Sequence, residues 1–439
     1  MSRRRFCKTA ALGLIGFAVA CLGTRTARAE EPGPLLPPIV TGRSVEICMN
    51  SRVSRHSGLG GTATDQQISN VLWAAGKAPV TGSYRTIYLK TPKATYIYEP
   101  RDHSLKYYSA GTVTNAFRIN YDRERDFDAG VSYVLALWAS VSLWTGTSSQ
   151  LMSCPQQSDL NFGIGTVPGL TNQLVAVSSD GSLPNPVPDG PNKLEEVLSD
   201  LRLRDKFRTD VNLTPQRLSQ ILWAGYGCSA HMTSNGRAGL TVPSWVAQYF
   251  LTNRVYVVNH RVWRYCDRKG SDLTTRDHRL ELVQDADVRD RVKQALPDLP
   301  DAPCYILLCL TQAGLETWYQ RLETGFVAGG ILLQSRAIGL RCAFKAALSP
   351  AEQQSLQQIT QIPAGDYAHA VVAVGHLPAD LNCDGAVNNF DIDPFVLALT
   401  NENGYKQKYP NCDRKLADCN GDGAVNNFDI DPFVRLLTP

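Results

Sequence analysis

At 439 residues, with 43% apolar and 19% charged side chains, the chain has ordinary globular composition and room for two or three domains. A net charge of +3 is close to neutral for this length, so there is no basic excess of the kind nucleic-acid binding needs. Beyond the N-terminal segment, no apolar stretch is long enough to span a bilayer.

Residues 1–29 read as an export signal. Ser2-Arg3-Arg4-Arg5-Phe6-Cys7-Lys8 precedes an apolar run from Ala10 to about Leu22. Ala27-Arg28-Ala29 then offers small residues to a peptidase, which puts the mature start at Glu30. Ser2-Arg3-Arg4 followed by Phe6 resembles a twin-arginine signal, with Cys7 where that motif carries Leu. The resemblance implies export of a folded, cofactor-loaded protein to the periplasm or the exterior; an ordinary secretory signal is the plain alternative. Cys21 after Ala18-Val19-Ala20 is a candidate lipid-attachment site, without the usual Leu before it. Removing the signal leaves ten of the 12 cysteines, free to pair outside the cytosol, and spacing alone does not choose the pairs.

Residues 30–43 are a Pro-rich linker. From 44 to 180 the pattern alternates helix and strand. Ile68, Val71, Leu72 and Ala75 give one buried helix face; 84–89 and 94–98 read as strands. Residues 128–145 form a helix apolar nearly all round, and 174–177 a short strand. A Pro/Gly/Ser/Asp joint covers 178–192. From 193 to 377, helices are expected at 194–203, 215–225 and 324–338. Strands are expected at 249–251, 255–258, 262–265, 304–310 and 370–374. Two apolar helices follow, at 393–399 and 431–437.

The chain repeats itself. Ile68-Ser69-Asn70-Val71-Leu72-Trp73-Ala74 returns as Leu218-Ser219-Gln220-Ile221-Leu222-Trp223-Ala224, with Thr64 and Gln66 matched by Thr214 and Gln216. Arg101-Asp102-His103 returns as Arg276-Asp277-His278, and Gly130-Val131 as Gly325-Phe326. Echoes that keep their order while their offset grows indicate a duplicated unit with insertions. The two histidines are read as turn chemistry rather than catalysis.

Residues 378–439 change composition. Asp380, Asn382, Asp384, Ala386 (through its carbonyl), Asn388 and Asp391 hold positions 1, 3, 5, 7, 9 and 12 of a loop with Gly385 at 6. Asp418, Asn420, Asp422, Ala424, Asn426 and Asp429 repeat it around Gly423. Such an oxygen set is a cage for a hard cation, Ca²⁺ above Mg²⁺. Two loop–helix units without entering helices resemble dockerin type I domains. The resemblance implies docking to a cohesin-like partner through positions 10 and 11, here Asn389-Phe390 and Asn427-Phe428 where Ser or Thr is usual. Another docking protein is the alternative partner.

The second copy carries further signals. Leu218–Gly225, Arg237 through Thr241-Val242-Pro243-Ser244, Gly325 through Gly339-Leu340, and Ile362-Pro363 resemble, in that order, segments of the nitroreductase family, in the branch with peptide azoline dehydrogenases. The resemblance implies an α+β fold: two nitroreductase-like copies in tandem, a pseudo-dimer within one chain, followed by the small helical calcium-loop domain. It implies FMN between the copies. Arg204, Lys206 and Arg208, with Arg52 and Ser54 from the first copy, would grip phosphate and ring edge; Arg341 after Gly339-Leu340 would add a late contact, and the Pro243-Ser244 backbone would approach the ring. Trp245 stands where the family has a small residue, and the first copy has no Pro-Ser. No catalytic acid or base is assigned. The expectation is an exported FMN-dependent oxidoreductase, dehydrogenating its substrate toward an external acceptor. The alternatives are a non-catalytic binding protein with a degenerate fold, or a dockerin-bearing protein of polysaccharide breakdown.

Overall fold

A computed structural model describes residues 34–53, 64–79, 86–91, 93–111, 117–121, 126–143, 158–162, 170–174 and 178–437. All of them fall in one compact unit that starts at Pro32. The first half contains α1 (Val45–Asn50), α2 (Asp65–Gly76), β1 (Ile87–Lys90), β2 (Ala94–Glu99), β3 (Ser104–Ala110), β4 (Phe117–Tyr121), α3 (Asp126–Ser142) and β5 (Ser158–Phe162). The second contains α4 (Leu194–Ser199), α5 (Pro215–Tyr226), β6 (Cys228–Met232), β7 (Ala238–Leu240), β8 (Val255–Val258), β9 (Val262–Arg268) and β10 (Arg276–Gln284). It continues through α6 (Arg289–Ala295), β11 (Cys304–Leu310), α7 (Gln312–Leu315), α8 (Trp318–Ala337), β12 (Arg341–Ala346), α9 (Pro350–Thr360) and β13 (Tyr367–Gly375). The C-terminal part holds α10 (Ile392–Thr400), α11 (Glu402–Lys408) and α12 (Ile430–Leu437).

Two antiparallel sheets share one connection pattern. The first runs β3-β2-β1-β4-β5 and the second β10-β9-β8-β11-β13-β12. Helices α3 and α8 pack on each other, largely apolar and buried, as helices at the centre of a unit must be, with polar side chains such as Glu323 and Gln334 of α8 buried among them. The two helices cross where glycine meets glycine. A Cβ on Gly130 would lie 2.9 Å from Gly325 Cα and overlap Leu322 O; one on Gly325 would lie 2.9 Å from Gly130 Cα and overlap Phe127 O. The contact is thus reciprocal, residue for residue. A second reciprocal contact joins the starts of α1 and α4: Val45 N–H donates to Asn192 O and Leu194 N–H to Arg43 O, at 3.2 and 2.9 Å.

The repeated polar residues pin extended straps onto the repeated helix. Thr64 and Thr214 cap α2 and α5 by accepting from the third helical N–H, one of the orphan donors of a helix start. Gln66 Nε2 donates to Pro37 O and Gln216 Nε2 to Asn185 O. Ser69 Oγ donates to Leu36 O, and Ser219 Oγ to Pro184 O. The same serines meet His103 Nε2 and His278 Nε2 at 2.8 Å, while Tyr98 and Tyr265 hydroxyls meet the two Nδ1 atoms. With the proton on Nε2, every partner is satisfied. Burial holds His278 down at about 4. The 30–43 linker and the 178–192 joint are therefore, where described, fixed parts of the packing.

Several expectations need correction. The 194–203 helix stops at Ser199, because Asp200 turns its carboxylate toward Arg336 and Arg341. Residues 249–251 are a turn, with Tyr249 at φ +57°, rather than a strand. The helix expected from 324 begins at Trp318. Leu174 is non-regular, and 175–177 lie outside the described residues, as do 84–85 at the start of the first expected strand. Helix α9 was not anticipated, although its Ser349/Glu352 capping box stands in the sequence.

Candidate functional site

One group of candidate residues gathers at the β6–β7 hairpin. Arg52, just past α1, is 2% exposed. Its Nε donates to Thr241 O at 3.0 Å and its Nη2 to Leu240 O and Val242 O at 2.8 and 3.1 Å. Trp138 of α3 adds an indole N–H to Thr241 O at 3.3 Å. Side chains of the first half thereby hold the run that leads into Pro243-Ser244 of the second. Burial, which disfavours the charged form, lowers Arg52 to about 10. Ser54 lies outside the described residues.

The sequence reading missed the neighbours of Arg52. Ser229 Oγ donates to Leu240 O and meets His231 Nδ1 at 2.8 Å. His231 is pushed down to about 3 by burial, then by Arg52 and Arg276. Arg268 is fully buried, donates to Ala238 O at 2.5 Å and lies 3.4 Å from Asp267, whose carboxyl burial raises to about 6. The Nε atoms of Arg268 and Arg276 are buried without a hydrogen-bond partner. This end of the hairpin thus sets the buried Arg52 and Arg268 and the half-buried Arg276 beside the buried Asp267 and Asp277, and its two unpartnered Nε donors suit an acceptor or an anion.

Below Ser244 sits Glu323 of α8, fully buried. It accepts from Ser244 Oγ at 2.5 Å, Tyr226 OH at 2.5 Å and Phe250 N–H at 2.9 Å. Burial raises its carboxyl to about 7. Glu323 ties both ends of a segment in which Val246, Ala247 and Tyr249 have φ of 48°, 52° and 57°, a region costly for side chains with a Cβ. Trp245 in that segment stacks on Tyr319 at 5.3 Å and 18°, with Trp318 edge-on. Pro243 is buried behind it.

The remaining candidates form a second group, facing the C-terminal part. Arg341, 2% exposed, donates from Nη1 to Asp200 O at 2.8 Å, from Nη2 to the Asp200 carboxylate, and from Nε to Gly385 O at 2.5 Å. Arg336 reaches Asp200 Oδ2 at 3.1 Å and Asp384 O at 2.7 Å. Burial pushes Asp200 up, but Arg341, then Arg202 and Arg336, outweigh it and hold the carboxyl at about 2. Arg208 binds Asp210 at 3.0 Å, Asp418 Oδ2 at 3.2 Å and the Asp418 carbonyl. Arg204 donates its backbone N–H to Cys342 O at 2.9 Å, while its Nε is buried without a partner. Lys206 is exposed and Leu340 is in the core. Gly339, at φ +75°, faces the backbone of the first loop so closely that a Cβ would overlap Cys383 O.

The two C-terminal loops fold alike. Asp391 Oδ1 accepts from Leu381 and Asn382 N–H, and Oδ2 from Asn388 N–H at 2.9 Å; Asp429 does the same with Cys419, Asn420 and Asn426. Asp380 and Asp418 accept from the N–H groups of Gly385 and Gly423, which take φ +82° and +86° for the sharp turn. Asn388 and Asn426 turn their oxygens to the N–H groups of Phe390 and Phe428. Burial raises Asp391 to about 6; Asp380 is raised by burial, then by Asp391 and Asp384. Buried carboxylates fit a cation in chemical type, although Asp418 is already paired with Arg208 at 3.2 Å. Among the described residues, however, no three or more His, Cys, Asp and Glu side chains are grouped as a metal site. Phe395 and Phe433 stack at 3.9 Å between the loop–helix units, and a Cys383–Cys412 disulfide ties the first loop to the segment after α11. Phe390 and Phe428 stand 78% and 79% exposed.

No family model and no curated protein matches the chain. Solved structures do. A protein from Anabaena variabilis assigned to the nitroreductases is 10% identical, with a TM-score of 0.47, over 74% of this chain and 93% of that one. One from Ralstonia eutropha, so assigned, is 22% identical with a TM-score of 0.37, over 48% and 96%. An FMN-dependent nitroreductase from Clostridium difficile is 14% identical with a TM-score of 0.28, over 41% and 86%. The fold mixes helix and sheet, and its solved neighbours are nitroreductase-family proteins. Among the described residues no helix is long and apolar enough to cross a membrane.

Proposed function

We propose that the chain is an exported flavin-dependent oxidoreductase of the nitroreductase type. In this reading it is built from two tandem copies that close on each other as a pseudo-dimer and carries a C-terminal docking module. The tandem reading is supported by the shared strand order and by contacts that are reciprocal residue for residue, as an isologous interface requires. The observation that carries the flavin reading is the reach of Arg52 from one half to the run before Pro243-Ser244 in the other. Flavin would supply the redox chemistry. Arg52 would hold the Leu240–Ser244 backbone in place beside it. Glu323 would fix the Ser244 turn, and the buried cations about His231 would draw in the ligand's negative charge. Arg208 and Arg341 do not fit a phosphate grip as they stand, because both guanidinium groups are committed to the C-terminal part and to aspartates. The absorption spectrum of the isolated protein, followed by FMN titration, tests the reading. A colourless protein that takes up no FMN rules it out.

A second reading, a non-catalytic binding protein on this fold, is favoured by the same engagement of Arg208 and Arg341 and by the Trp245–Tyr319 stack beside Ser244. For the C-terminal loops the proposal is one Ca²⁺ each, supported by donor type, glycine turns and twofold repetition. The exposed Phe390 and Phe428 would give a cohesin-like or other protein two equivalent apolar contacts.

A further inference from the structure

The C-terminal part is seated on arginines. Arg341 is almost wholly buried, and the nearest body carboxylate, Asp200, is shared with Arg336 and Arg202. Close by, Arg204 has a buried Nε with no partner. Residues 384–418 supply further acceptors: the Asp384 carbonyl to Arg336, the Gly385 carbonyl to Arg341 and, on the second loop, the Asp418 carbonyl and carboxylate to Arg208, which also holds Asp210. Carbonyl and carboxylate oxygens gathered on several guanidinium groups reproduce what a tetrahedral oxyanion would offer them. Backbone packing seals the contact. Gly339 and Gly385 face each other so closely that a Cβ on Gly385 would lie 3.3 Å from Gly339 Cα. Val211 of the body is buried within the module's own apolar cluster.

We propose that residues 378–437 act as a built-in oxyanion mimic: module docking and oxyanion binding compete for Arg208, Arg336 and Arg341 and exclude each other. The partners left behind on release explain the direction. Without the module, Arg341 loses its Nε acceptor and Arg208 its Asp418 partners; the carboxylates still bonded to the group, Asp200 and Asp210, are outnumbered by Arg202, Arg208, Arg336 and Arg341, and that excess of positive charge favours an anion. By linkage, whatever loosens the module tightens the oxyanion, and the oxyanion loosens the module by the same factor. This holds whether or not flavin occupies the Arg52 end.

The test uses the full chain, with inorganic sulfate as the probe. In the wild type, sulfate should raise amide hydrogen exchange in 380–386 and 416–423 beyond the effect of sodium chloride at equal ionic strength. Gly339→Ala forces a Cβ into the Cys383 carbonyl. It should speed exchange of those amides roughly tenfold without sulfate, and tighten sulfate binding by calorimetry by about the same factor. Gly236→Ala is the control, because Gly236 has φ +77° but open space around it, and it should do neither. If Gly339→Ala disturbs protection in 318–337, Val211→Ala replaces it, because Val211 packs into the module's apolar cluster and makes none of the arginine contacts; a smaller rise in the same loop amides and a smaller gain in sulfate affinity are expected. Freed loops with unchanged sulfate affinity, or loops as protected as in the wild type, overturn the proposal.

Discussion

Glu323 shows how one buried group governs a local structure. Three hydrogen bonds converge on it, and two of them hold the ends of a segment with three non-glycine residues at positive φ. Removing it with Glu323→Ala leaves Tyr226 OH, Ser244 and Phe250 N–H without their acceptor, and should lower stability by about 3 kcal/mol in denaturant unfolding. The pH dependence follows from its folded pKa of about 7, against 4.5 for the free side chain. The folded state then binds more protons than the unfolded between those values, so this group's contribution falls as pH rises from 4.5 to 7 and is flat above. The loss amounts to about 3 kcal/mol over that window. Glu323→Gln should flatten the stability–pH profile there; an unchanged slope would mean that the carboxyl ionises normally. His278 has the opposite sign. Its folded pKa of about 4 lies below 6.5, so the folded state is destabilised as pH falls through that window. His278→Ala should cost about 2 kcal/mol, and more than His103→Ala, whose histidine sits in the same bonds but is less buried.

At the scale of elements, the α3–α8 crossing is set by glycine. Gly130→Ala and Gly325→Ala each insert a methyl group against the other helix's backbone, and each should destabilise by about 1–3 kcal/mol. Because the contact is reciprocal, the two should be similar in size, and the double variant should cost less than their sum once the helices have parted. Calorimetric unfolding of the two singles and the double checks both points; strict additivity would mean that the two sites do not share one contact. The repeated straps belong to this scale as well. Local echoes at Gln66/Gln216 and Ser69/Ser219 were legible, since they are letters in a row. Their purpose, which is to bond a strap some thirty residues upstream, was not.

For the whole molecule, the question is what the C-terminal part is for. Calcium calorimetry on the full chain should show two binding events, and Asp429→Ala should remove one of them while the other stays. No heat at all would end the cation proposal. The arginine contacts of the two loops differ, with Arg208 on the second and Arg336 and Arg341 on the first, so the two affinities should differ despite near-identical sequences. A body-docked module also leaves Phe390 and Phe428 outward, so docking to a partner and seating on the body need not conflict.

From the letters alone came the internal echoes, the two buried central helices and the repeated Asp/Asn loops. Each is written in local spacing or in repetition, and both survive without coordinates. Tertiary structure alone decided which residues meet: Glu323 under Ser244, His231 between Arg52 and Arg276, and Arg208 and Arg341 on the C-terminal loops. The reason is physical. Whether an arginine grips a ligand, a backbone carbonyl or an aspartate depends on what lies within 3 Å after folding. The arginine's own neighbours in sequence carry no record of that.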